Sequence, residues 1–265
     1  MEHKLHKSYI VAFASGKGGV GKSLATVNTA EILQSMGYRV AILDADLGLS
    51  NCATLLNETT PGTVMDIMKK HATPEQIIQK TESGITLVTG ADEPSIDHID
   101  WSALYPSLDQ VLRRLRSDHD FVLIDTPAGA SDLSFWALDR ADLGLLVVVG
   151  EPTAIADVYR FSKFVLEVDP AYPFAAIVNF ASDEDDAREI LDRFNSIVHH
   201  FMNRRFPYLG FIPMDELIRQ SVIDQKPFVR IDPDATMAEE VRYIAEALIG
   251  LSKQQPRHVP ATVNI

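Results

Sequence analysis

The chain has 265 residues, with 24 basic and 37 acidic side chains and a formal charge of −13; 46% of residues are hydrophobic and 23% charged. That balance supplies a core, excludes a disordered or collagen-like chain, and argues against a uniformly basic nucleic-acid binder. One cysteine, Cys52, excludes an intrachain disulfide and a CxxC metal site; no apolar run reaches the length of a membrane span, and the first residues do not read as a secretory signal.

In chain order, short apolar runs at 9–14, 39–43, 85–89, 121–124, 143–149, 174–178 and 208–212 are predicted strands. Most are continuous rather than alternating, as strands covered on both faces are. Helical patterns at 23–36, 102–117, 132–139, 153–167, 184–203 and 236–251 stand between them, and the weakly periodic segment 52–83 suits short helices. The alternation predicts an α/β fold: a twisted, mostly parallel sheet with helices on both faces. No linker divides the chain, so residues 1–251 are expected to form one domain and 252–265 a flexible tail. A cytoplasmic location is expected.

The first strand runs into Gly16-Lys17-Gly18-Gly19-Val20-Gly21-Lys22-Ser23, followed by Leu24 and a helical pattern. These residues fill the phosphate-loop pattern G-x-x-x-x-G-K-[ST]. Glycines let the backbone turn its N–H groups around phosphate oxygens, and the following helix points its positive end at the same anion. Lys22 is placed to meet the β- and γ-phosphates and Ser23 to ligate Mg²⁺. Gly16, Gly18 and Gly21 also spell G-x-G-x-x-G, with Asp44 near where a ribose-binding acid would stand. Lys22-Ser23 directly after the last glycine favours the triphosphate over the dinucleotide.

Three carboxylates extend the pattern. A buried strand ends in Asp125, the position from which an acid holds Mg²⁺ through water, and Thr126-Pro127-Ala128-Gly129 follows it. Gly129 could present a bare N–H to a γ-phosphate. The second strand ends in Asp44-Ala45-Asp46; on an extended segment, acids two apart point the same way, one toward the metal's water shell and one toward an attacking water.

Lys17 inside Lys-Gly-Gly-Val-Gly-Lys-Ser resembles the deviant Walker A motif of MinD/ParA ATPases. Asp44–Asn51 (DADLGLSN) is similar to that family's first switch, and Asp125–Ser131 (DTPAGAS) to its second. Glu151–Tyr159, Ile177-Val178-Asn179, Tyr208–Asp215 and Gln225-Lys226-Pro227 look most like the flagellar-number regulator branch (FlhG/FleN). The resemblance implies an ATPase that uses Mg²⁺ and switches by ATP-dependent homodimerisation, with slow hydrolysis stimulated by a regulatory protein. Such a switch positions or counts a cellular structure, a flagellum or a division site. On this reading Lys17 reaches the partner's phosphates, Lys22 its own, and Asp46 orients the hydrolytic water. Ser23, Asp44 and Asp125 serve the metal; Asn179 reads adenine, with Ile212, Pro213, Met214 and Asp215 closing over the base.

Other readings stay beside it. A DNA-segregation ATPase would use a patch such as Arg113, Arg114 and Arg116 at a helix end, and the net charge weighs against DNA. The helix at 236–251 has an apolar stripe, Met237, Val241, Ile244, Ala245, Leu248 and Ile249, suited either to packing on the sheet or to a peripheral site on the inner membrane face. Glu239, Glu240 and Glu246 favour packing. His199-His200 reads as a solvated helix end rather than a metal pair, and Cys52 as a small packing residue.

Overall fold

The computed structural model describes residues 8–48, 51–91 and 99–254. Its strands are β1 (Tyr9–Ala14), β2 (Val40–Asp44), β3 (Gln79–Lys80), β4 (Thr86–Thr89), β5 (Phe121–Asp125), β6 (Leu143–Val148), β7 (Phe174–Ala181) and β8 (Tyr208–Pro213). Five of them, β1, β2, β4, β5 and β6, are buried at every position, which is why their sequences are continuous apolar runs. They form one sheet in the order β3-β4-β2-β5-β1-β6-β7-β8. Every pairing is parallel except β3 with β4. The two-residue β3 has no apolar pattern to announce it; it exists because the turn at Gly84 folds the chain back along β4.

The helices are α1 (Lys22–Ser35), α2 (Asn51–Leu56), α3 (Val64–Met68), α4 (Pro74–Ile77), α5 (Trp101–Asp118), α6 (Asp132–Arg140), α7 (Pro152–Val168), α8 (Glu184–Met202), α9 (Glu216–Ile223), α10 (Phe228–Ile231) and α11 (Thr236–Gln254). Strand side chains alternate between two cores. Ile10, Ala12 and Ala14 of β1 face the core covered by α3, α5, α6, α7 and α8, while Tyr9, Val11 and Phe13 face the core under α1, α2 and α11. The short helices α2, α3 and α4 occupy the weakly periodic segment as expected; α9 and α10 fall where no helix was predicted, each too short for its pattern to stand out.

The apolar stripe of α11 is spent on the fold. Met237, Val241, Ile244, Ala245 and Leu248 are buried in the second core, against α1 and β8. The helix continues to Gln254, past its expected end at 251, with Ser252 Oγ donating to the Ile249 carbonyl at 2.8 Å. Of the expected tail, residues 255–265 lie outside the described residues. No described helix is long and apolar enough to cross a membrane.

Candidate nucleotide site

The carboxyl ends of β1, β2 and β5 meet at the centre of the sheet, where open α/β folds place ligands. From β1 the chain enters the glycine loop and then α1. Two of its glycines are required by different constraints. A Cβ at Gly16 would stand 2.2 Å from the Val158 amide nitrogen and 2.3 Å from the Asp157 carbonyl carbon, so the loop lies directly on the backbone of α7. Gly21 caps α1 at φ +80°, a left-handed conformation that favours glycine, and a Cβ there would stand 2.1 Å from Asn179 Nδ2. At Gly19 a Cβ would meet nothing within 4 Å among the described residues. The loop is thus pinned from behind and open in front.

Parallel register sets Asp44 directly beside Asp125 at the ends of β2 and β5, and both are 0% exposed. Lys22 Nζ donates to Asp125 Oδ1 at 2.8 Å, Ser23 Oγ to Asp125 Oδ2 at 2.5 Å, and the Cys52 thiol lies 3.5 Å from that second oxygen. Asp44 accepts from the amides of Asp46 and Cys52, each at 3.1 Å. Burial, reinforced by the Asp125 charge, pushes the Asp44 carboxyl up to about 7. Burial and the same carboxylates raise the Cys52 thiol. For Lys22 burial works against the charged form, but the charge and hydrogen bond of Asp125 outweigh it and its affinity for the proton rises. Two buried carboxylates therefore share one ammonium and are short of positive charge. With the Ser23 hydroxyl beside them they are an oxygen-rich set that suits a hard divalent cation such as Mg²⁺, and the open front of the loop suits the phosphates it would accompany.

One expectation, that Asp44 and Asp46 share an extended segment, needs correction here. Asp46 does not continue an extended segment with Asp44, because β2 ends at Asp44 and the chain turns, its amide on the Asp44 carboxylate. The Asp46 carboxylate accepts instead from the Gly48 amide at 2.9 Å. Leu49 and Ser50 of the first switch lie outside the described residues. Gly129, at φ +74°, donates its N–H to the Ser15 carbonyl at 2.9 Å, so that group is turned into the glycine loop rather than toward a phosphate. Asn179, 0% exposed, donates to the Val20 carbonyl at 2.7 Å and so braces the loop from behind. Of the predicted base segment, Ile212 is buried in the core, Pro213 ends β8, Met214 is 70% exposed, and Asp215 caps α9 by accepting from the Leu217 amide at 2.7 Å.

Lys17 projects to the rim, where its Nζ pairs with Glu151 Oε2 at 2.5 Å. Glu151, Cys52 and Phe180 are the site neighbours that residue patterns did not single out for a role; position at a strand end or directly after a switch is the only signal each carries. The arginines of α5 are partly neutralised: Arg114 pairs with Asp118 and, at 3.5 Å, with Glu75.

A family model named ParA, described as NUBPL iron-transfer P-loop NTPase, matches residues 6–249. The chain belongs to the ParA family of P-loop NTPases. Among ParA-family relatives it is 29% identical over 243 residues to the antiactivator FleN of Pseudomonas aeruginosa, covering 91% of this chain and 86% of that protein. It is 27% identical over 254 residues to the flagellum site-determining protein YlxH of Helicobacter pylori, covering 94% and 85%. Among solved structures, the septum site-determining protein MinD of Pyrococcus horikoshii, complexed with Mg-ADP, superposes with a TM-score of 0.73 at 25% identity, covering 94% of this chain and all of that one. The parallel sheet with helices on both faces is the ParA-family fold, and the chain is a P-loop ATPase.

Proposed function

We propose that this ATPase is a switch that dimerises on ATP and Mg²⁺ and is reset by hydrolysis. The observation that carries the reading is the division of labour between two loop lysines. Lys22 is buried against Asp125, within its own site. Lys17 comes from the same loop yet stands at the rim, its side chain 33% exposed and, among the described residues, paired with an exposed glutamate. A cation so placed is accessible to the phosphates of a second copy. Ser23, Asp44 and Asp125 would hold the metal, which supplies charge neutralisation at the phosphates when bound. Gly16 to Ser23, with Leu24 behind them, would cradle the phosphates. Asp46, freed from the Gly48 amide, would orient the attacking water. Gly129 would answer the γ-phosphate only after its N–H leaves the Ser15 carbonyl, a small rearrangement of the kind that switch loops use.

The relatives' names, a flagellar antiactivator, a flagellum site-determining protein and a septum site-determining protein, support a role in positioning or counting a cellular structure, with a regulatory protein as partner.

Light scattering during size exclusion tests the switch on wild type and Asp46→Ala, with ADP·Mg²⁺ and with ATP·Mg²⁺. A dimer is expected only with ATP, persisting in Asp46→Ala and absent in Lys17→Ala. Monomers under every condition, with ATP binding demonstrated, would overturn the switch.

A further inference from the structure

Cys52 is the chain's single cysteine, and packing alone does not explain where its sulfur points. The residue is buried at the start of α2, on the side of the second core. Its Sγ nevertheless lies against a carboxylate, 3.5 Å from Asp125 Oδ2. The placement is fixed by the backbone: the Cys52 amide donates to Asp44 Oδ2 at 3.1 Å, and Asp44 stands in register with Asp125. One donor atom from each of Asp44, Cys52 and Asp125 falls within 4.8 Å of the other two. Among the described residues, no other trio of histidine, cysteine or acidic side chains comes so close. Three elements, β2, α2 and β5, thus bring two oxygens and a sulfur to one place.

That donor set offers more than Mg²⁺ can use. Mg²⁺ takes oxygen ligands, keeps several of its waters and is bound through one or two carboxylates; sulfur gives it nothing. Zn²⁺ takes carboxylate oxygen at about 2.0–2.2 Å and thiolate at about 2.3 Å, and three protein ligands leave its fourth position open. Around a tetrahedral ion those bond lengths put sulfur and oxygen about 3.5 Å apart, the spacing already present between Cys52 and Asp125. We propose that Asp44, Cys52 and Asp125 form a binding site for a thiophilic divalent ion of the Zn²⁺ class, filled in the absence of nucleotide. On binding, the thiol releases its proton to solvent as the metal–sulfur bond forms. Two carboxylates and a thiolate then face one dication and the Lys22 ammonium, so the buried formal charges balance. The site itself needs the cluster alone. A consequence rests on reading the loop as a nucleotide site: Zn²⁺ draws on the same two carboxylates as the Mg²⁺ that accompanies nucleotide, so the two compete.

Co²⁺ reports such a site by absorption, because a thiolate bound to it gives a near-ultraviolet charge-transfer band that imidazole and carboxylate ligands do not. With one cysteine in the chain, the band can come only from Cys52. Nucleotide-free protein titrated with Co²⁺ is expected to show the band and to lose it as Zn²⁺ is added. Cys52→Ser should abolish the band and weaken Zn²⁺ by about tenfold or more in calorimetric titration, and Asp44→Asn, which keeps the sulfur, should weaken Co²⁺ similarly. Wild type without the band at millimolar Co²⁺, a reading that needs no variant to fold, would overturn the proposal. So would a Zn²⁺ affinity unchanged in both variants. ADP·Mg²⁺ is expected to diminish the band; a band it leaves unchanged, in protein shown to bind ADP, would overturn the competition. Protein that shows the band but binds no ADP would overturn the nucleotide reading and leave the metal site standing.

Discussion

Asp44 shows most directly how one residue's surroundings set its chemistry. Its carboxyl is raised to about 7 by burial and by Asp125, whereas the unfolded chain titrates near the ordinary value of about 3.9. Between those values the folded state binds more protons than the unfolded one, so this group makes the nucleotide-free protein less stable as pH rises through the window. Asp44→Asn should flatten that dependence and raise the melting temperature of the nucleotide-free protein at pH 8, measured by calorimetry, while abolishing the further stabilisation by Mg²⁺. Glu151 is the opposite case. Exposed ion pairs are worth about 0–1 kcal/mol, so the tether on Lys17 is weak. Glu151→Gln is expected to leave the melting temperature unchanged and to strengthen ATP-dependent dimerisation by up to about fivefold, read from the concentration dependence of molar mass.

At the scale of elements, the glycine loop and α7 are joined backbone to backbone. The atoms that a Cβ at Gly16 would strike belong to the main chain of Asp157 and Val158, which cannot rotate away as a side chain can. Gly16→Ala is therefore expected to cost about 1–3 kcal/mol of stability in denaturant unfolding and to weaken nucleotide binding. Gly18→Ala makes a control for the clash, because a Cβ there would meet Ala128 Cβ at an ordinary 3.8 Å and the position needs no left-handed backbone, and it should retain more stability. The same coupling means that a change in the loop is transmitted to α7, the helix whose amino-terminal cap is Glu151. The terminal helix shows a further element-level rule. An apolar stripe buried against β8 and α1 is already occupied, and a helix cannot offer one face both to the sheet and to a bilayer.

For the whole molecule, sheet order brings together acids from distant parts of the chain at the centre, where β1 lies between β5 and β6. A ligand that binds only the folded state stabilises it by mass action, by about 2.7 kcal/mol at a hundred times its dissociation constant. ADP·Mg²⁺ should accordingly raise the wild-type melting temperature by several degrees in a thermal-shift measurement. Lys22→Ala should remove that shift, and it should also destabilise the free protein by about 3–5 kcal/mol, because it leaves two buried carboxylates without their ammonium.

The fold class and the phosphate loop were readable from residues alone, since each follows from local physics. Continuous apolar strands report burial on both faces, and a glycine loop between strand and helix followed by Lys-Ser reports backbone wrapped round an anion. Even the packing of α11 could be read from the acids on its polar face. The partners of those groups were decided by tertiary structure. Register places Asp44 against Asp125, a contact across 134 positions gives Lys17 to Glu151, and the bulge in β7 turns Asn179 into a brace for the loop. Local sequence sets what each segment can form and what chemistry it carries. Which groups meet depends on strand order and register, properties of the assembled sheet to which no short stretch of chain has access.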